Sequence, residues 1–284
     1  MSMSPRPSFA LIGAALLMSV SAGAGASQSW SFDLLDPTGS SSGTQLTYTQ
    51  GGATLTARGY SSTGYPDNDN SNANRIETAY LNAGPGYPGV GITNNDAYGT
   101  WPGDTNENGG IWDIRELAID NNERFDSILL DFSALNGSQG VKLDTLNVLG
   151  YTDSDFFVLA YTGGGTPSLV DQQYGSLAGW TLVGNYSNLA NNSSASVDLN
   201  TSIYSSFWLI GAGGFEAGTG VTSGDKNGNG SWKAFKDSNY DYIKLANVTV
   251  TKKDGGNSVP EPGSLALAGL AFAGMLGLRR RKEA

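Results

Sequence analysis

The chain has 284 residues with 16 basic and 26 acidic side chains, a net charge of −10 at neutral pH, and neither cysteine nor histidine. A chain this acidic repels nucleic acid and anionic lipid and attracts cations. The missing residue types remove disulfide staples, Ser-His-Asp and Cys-His catalysis and histidine-ligated zinc, which leaves a carboxylate pair as the remaining hydrolytic machinery, and no such pair stands out.

At the N terminus, Arg6, an apolar run from Phe9 to Val20 and the A-x-A site Ala24-Gly25-Ala26 have the layout of a secretory signal peptide cleaved after Ala26. The apolar run is about a dozen residues, where a membrane span needs about twenty. Removing residues 1–26 and 259–284 takes away five of the 16 cations and two of the 26 anions, so residues 27–258 keep 11 and 24, a net of −13. This length suits one all-β domain. Without cysteine, an exported domain is held by its core, by bound ions, or by both.

Short β-rich runs alternate with Gly, Asn, Ser and Pro clusters, the pattern of a sandwich or barrel. Predicted strands cover Trp30–Leu35, Thr44–Thr49 and Ala53–Gly59, the last two joined by a hairpin at Gly51-Gly52. Ile76–Asn82, Ser127–Phe132, Leu143–Gly150, Phe156–Thr162, Trp180–Tyr186, Ala195–Leu199, Phe207–Gly211 and Tyr240–Thr251 follow. In the last, the apolar residues fall in two registers, which predicts a bulge near Ala246. Phe156 to Leu159 is apolar on both faces and is expected at the centre of the sandwich. No stretch between the two ends has helical periodicity beyond two turns. The expected fold is a single, jelly-roll-like β-sandwich spanning residues 27–258.

Two segments match the first half of a calcium loop: Asp104-x-Asn106-x-Asn108-Gly109 and Asp225-x-Asn227-x-Asn229-Gly230. Alternate oxygen-bearing side chains turn inward around a hard cation, and glycine permits the sharp turn. Arg115 and Lys236 stand where an EF-hand has its bidentate carboxylate, so these are not EF-hands. Asp113, Glu116 or Asp237 supplies the missing charge in another geometry, with weak affinity expected. Clustering of Asn and Gly in loops is the competing explanation. Asp120-Asn121-Asn122-Glu123, just before a strand, holds an ion or forms an Asx-turn, the turn being favoured. Trp180 and Trp208 lie in apolar runs and are expected in the core, whereas Trp101, Trp112 and Trp232 flank the ion loops as candidate faces for stacking on sugar rings.

The C terminus reads Val259-Pro260-Glu261-Pro262, an uncharged run from Gly263 to Leu278, then Arg279-Arg280-Arg281-Lys282. As a helix, Ser264 to Leu278 reaches about 22 Å against a hydrocarbon core of about 30 Å. With three internal glycines and cations that stop at anionic headgroups, it suits a temporary membrane stop.

This tail resembles the PEP-CTERM sorting signal: motif Pro260, Glu261 and Pro262, short hydrophobic segment, and arginine cluster Arg279, Arg280 and Arg281. The resemblance implies an exported protein held transiently at the inner membrane. There the membrane-embedded, protease-like enzyme exosortase removes the tail and passes the protein to the surface of a Gram-negative cell. More loosely, Gly84–Gly91, Asp120–Glu123, Phe125–Phe132, Trp180–Val183, Phe207–Ala212 and Asp241–Leu245 resemble the ectodomain of exosortase-dependent surface proteins, with Pro88-Gly89-Val90-Gly91 in place of the usual Gly-Leu-Gly-Val. That implies an extracellular β-sandwich without assigned activity.

Together these readings describe a non-enzymatic surface or matrix protein. Its expected partners are the secretion machinery, exosortase and extracellular polysaccharide, with calcium as its cofactor and no nucleic acid. The alternatives are a calcium-assisted carbohydrate-binding module and a carboxylate glycosidase.

Overall fold

The computed structural model describes residues 27–62, 75–83, 89–93, 118–121, 125–136, 139–187, 189, 193–222, 224 and 240–253. All the described residues lie in one compact unit, Ser27–Asp254.

The strands, in chain order, are β1 (Ser29–Asp33), β2 (Ser42–Gly43), β3 (Gln45–Gln50), β4 (Ala53–Ser62), β5 (Ile76–Asn82), β6 (Gly91–Thr93), β7 (Ile119–Asp120) and β8 (Ser127–Asp131). One helical turn, α1 (Ser133–Asn136), precedes β9 (Val141–Thr152), β10 (Phe156–Tyr161), β11 (Trp180–Tyr186), β12 (Ser193–Asp198), β13 (Phe207–Ala212), β14 (Gly214–Glu216), β15 (Gly220–Thr222) and β16 (Asp241–Lys252). The smaller sheet runs β1-β16-β9-β12, with β7 beside β16. The larger runs β11-β10-β13-β8-β4-β5-β2, with β3 on β4 and β6 on β5, while β14 and β15 form a separate hairpin.

Among the described residues neither sheet closes on itself. Phe32, Leu146, Val148, Val248 and Val250 of the smaller sheet pack into one core with Leu55, Leu130, Phe156, Val158 and Trp208 of the larger, an arrangement consistent with a β-sandwich.

Local chemistry explains the register. Gly51 and Gly52 adopt φ of 57° and 80°, the two left-handed positions of the tight turn that pairs Gln50 with Ala53. Along β4, Ala53, Leu55 and Ala57 are buried while Thr54, Thr56 and Arg58 are half-buried, as period-two alternation requires. In β16, Ile243 and Leu245 face the core, the pairing with β9 slips between Leu245 and Asn247, and Val248 and Val250 then face the same core. The predicted bulge at Ala246 is therefore real. It turns two registers into one apolar face.

β10 is buried on both faces for a reason its sequence does not show. Phe156, Val158 and Ala160 enter the core between the sheets, whereas Phe157 and Leu159 pack under a second layer made by Leu169, Tyr174, Phe215 and Val221. The strand lies next to edge strand β11 rather than at the sheet's centre, so it is the covering layer that buries its outer face. Trp208 is fully buried, as expected. Trp180 is only half-buried, against Tyr161, because it opens an edge strand.

The covering hairpin is pinned by one side chain. Asn185 Nδ2 donates to the Phe215 carbonyl at 3.0 Å, and the Phe215 N–H donates to Asn185 Oδ1 at 2.9 Å. Asn185→Ala removes both bonds and is expected to cost about 1–3 kcal/mol, read as a lower urea midpoint with unchanged slope.

Candidate functional site

β9 belongs to the smaller sheet and β10 to the larger, and the link between them is only Asp153-Ser154-Asp155. The Tyr242 N–H donates to the Asp153 carbonyl at 3.1 Å and the Gly213 N–H to the Asp155 carbonyl at 2.9 Å, which ties the link to both sheets. Asp241 is the first residue of β16 and shares the core-facing register of Ile243 and Leu245. Three carboxylates thus converge at one end of the sandwich: one carboxylate oxygen from each of Asp153, Asp155 and Asp241 lies within 4.8 Å of the other two.

Asp155 and Asp241 are fully buried, and Asp153 is half-buried. Asn121, which follows β7, clasps Asp241 from the other side: its Nδ2 donates to Asp241 Oδ2 at 2.6 Å, and the Asp241 N–H donates to its Oδ1 at 2.8 Å. The Asp155 N–H donates to Asp241 Oδ1 at 2.8 Å. Gly224 closes the cluster with φ of 79°, and a Cβ there would sit 2.4 Å from Asp155 Oδ2, so only glycine fits beside the carboxylate.

Electrostatics make this a loaded site. Burial, then the charges of Asp155 and Asp153, push the Asp241 carboxyl up to about 9, against the opposing pull of the hydrogen bonds from the Asp155 N–H and Asn121. A buried carboxyl crowded by two others takes up either a proton or a cation. With only oxygen donors at hand, the cation that fits is hard and divalent, of the calcium class. On the opposite face of β16, Lys244 is fully buried, and burial brings its ammonium down to about 8.

Asp104, Asn106, Asn108, Asp113, Asp225, Asn227 and Asn229, the predicted calcium ligands, lie outside the described residues. So do Ala24 and Ala26, Pro260 to Pro262, and Arg279 to Arg281. One link to the predicted loops exists: Gly224, packed on Asp155, immediately precedes Asp225. Of the Asp120–Glu123 run, Asp120 and Asn121 are buried, and Asn121 serves Asp241. Sequence reading missed the carboxylate cluster itself. Its signals were an Asp-x-Asp directly before the apolar run of β10 and an aspartate in the core register of β16.

What these observations define is an acidic all-β domain with a carboxylate cluster between its sheets, followed by a tail set apart in composition. That tail, residues 258–282, matches the family model of the PEP-CTERM protein-sorting motif. The motif implies exosortase-dependent sorting of an exported protein. No curated protein and no solved structure matches the chain. Among the described residues no helix is long and apolar enough to cross a membrane, and Gly263 to Leu278 lie outside them.

Proposed function

We propose that this chain is a non-enzymatic exported protein that exosortase cuts and delivers to the cell surface or extracellular matrix of a Gram-negative bacterium. There its jelly-roll-like domain associates with extracellular polysaccharide. The observation that carries the reading is the match of residues 258–282 to the sorting motif. A net charge of −13 on residues 27–258 agrees with life outside the cell, away from nucleic acid.

Calcium belongs to the proposal. The cluster of Asp153, Asp155 and Asp241 supplies three oxygen donors, and an ion there offsets the burial and the neighbouring charges that raise Asp241.

Deleting exosortase in the host tests the route. The expected outcome is an uncut, cell-bound protein that still carries its arginines, where the parent strain releases or displays a shorter form. A surface form of unchanged mass and amount in the deletion strain would refute exosortase processing.

A further inference from the structure

β10 and β13 run the length of the larger sheet, and the carboxylate cluster lies at the end where β10 begins. At the opposite end, about 17 Å away along β10, a cleft of about 540 Å³ opens. It lies between the loop after β10, Thr162 to Thr166, and the segments around Ser133, Gly140 and Tyr204 to Phe207. This volume is in the range of small-ligand sites.

In a chain of 26 acidic and 16 basic residues, the cleft is lined by Tyr161, Tyr204, Phe207, Gln139, serines, threonines and glycines, without a single charged side chain. The lining side chains themselves offer an ion or a charged metabolite no counter-charge, and the Lys253 ammonium beside the Tyr204 ring is not among them. A ligand rich in hydroxyls and flat apolar faces finds both kinds of partner.

The walls are set in place. The Tyr161 hydroxyl donates to the Gly164 carbonyl at 3.0 Å, and its ring lies 5.3 Å from Trp180 and 6.2 Å from Phe207, centroid to centroid. A Cβ on Gly163 would come within 2.7 Å of the Tyr161 ring, so the glycine loop folds closely over it. Tyr204 is half-buried, and the Lys253 ammonium lies 5.7 Å from its ring centroid. The fixed Tyr161 ring and the half-buried Tyr204 ring, with hydroxyls and backbone groups around them, form an amphipathic surface that binds at low ordering cost.

We infer that this cleft binds a neutral polysaccharide segment, with Tyr161 and Tyr204 as its aromatic contacts. The inference rests on the surface reading above for the presence of such a glycan, and it places carbohydrate binding at a site independent of calcium and of the tryptophans that flank the predicted ion loops.

The test is affinity electrophoresis of the Ser27–Asp254 unit, whose core is made by its own strands, in gels containing dextran, laminarin, galactomannan or anionic alginate. The expected result is retardation by at least one neutral polysaccharide, unchanged by EDTA and by high salt. Tyr204→Ala and the cleft-filling Thr166→Trp should each weaken it about three- to tenfold, and with Thr166→Trp the melting midpoint stays put. Thr166 is exposed, so its replacement leaves the core untouched. Migration unaffected by all three neutral glycans, retardation by alginate alone, or retardation that Thr166→Trp leaves intact would overturn the inference. Fractionation of the full chain in its host reads the surface proposal separately: an exported, processed protein whose isolated domain ignores glycans loses the cleft inference alone.

Discussion

In EDTA, the exported domain is expected to lose stability steadily as pH rises from about 4 to about 8, and millimolar calcium restores it at the upper end. The sign follows from Asp241. Its carboxyl sits near 9 in the fold against an ordinary 3.8, so between those values the native state holds a proton that the unfolded chain has released. Stability contributed by such a group is fully present below the unfolded value and is lost as pH climbs toward the folded one. Each unit of separation is worth about 1.4 kcal/mol, so the loss by about pH 8 is on the order of a few kcal/mol, roughly 10 °C in melting midpoint for a domain of this size. Lys244 opposes the trend only above its own lowered value of about 8, which leaves the lower window to the carboxylates.

Calcium must displace that proton, so its effect is large at about pH 8 and small at about pH 5. With a dissociation constant of about 10⁻⁴ M, about 10 mM calcium adds about 2.7 kcal/mol. Asp153→Asn separates the two contributions. The amide oxygen can still accept from the Ser154 N–H, now at 3.1 Å from Asp153 Oδ1, while one repelling charge is gone. The variant should melt a few degrees higher than the parent in EDTA at about pH 8 and lose most of the calcium response. A flat pH profile together with a calcium-indifferent midpoint would remove the cluster from the proposal.

Replacing Arg279, Arg280 and Arg281 with alanine is expected to abolish processing almost completely, because a short, glycine-interrupted hydrophobic run then lacks the cations that hold it at the headgroups. Pro260→Ala with Pro262→Ala should give the same uncut product while still entering the membrane, since the apolar run and its cations remain. The two variants therefore differ in alkaline extraction of membranes, with the arginine variant in the soluble fraction and the proline variant in the pellet. Efficient maturation of both would mean that the tail is not read as a sorting signal.

How much was legible in the chain varies with the length of the element. Ile76–Asn82 and Trp180–Tyr186 were read with the same ends that the structure has, because each is a β-rich run framed by turn residues. The slip at Ala246 was visible because twelve residues of β16 are enough to show two registers. β2, β6, β7, β14 and β15 have two or three residues each, too few for any period, and were missed. Burial of the outer face of β10 was read as a central position because a covering layer leaves the same mark on a sequence as a sheet centre. The carboxylate cluster was the least legible. Asp155 and Asp241 are 86 positions apart, and only the pairing of β16 with β9 brings them together. By contrast, the tail is contiguous and was read directly, since motif, apolar length and cations follow one another without any folding.

The central claim is that both ends are handles removed on the way out, leaving an acidic sandwich outside the cell. Intact-mass spectrometry of the protein recovered from the host's surface and medium tests it most directly. The expected species begins near Ser27 and ends within the sorting region, without Arg279 to Lys282. A full-length mass with those basic residues present, found in the cytosolic fraction, would contradict it.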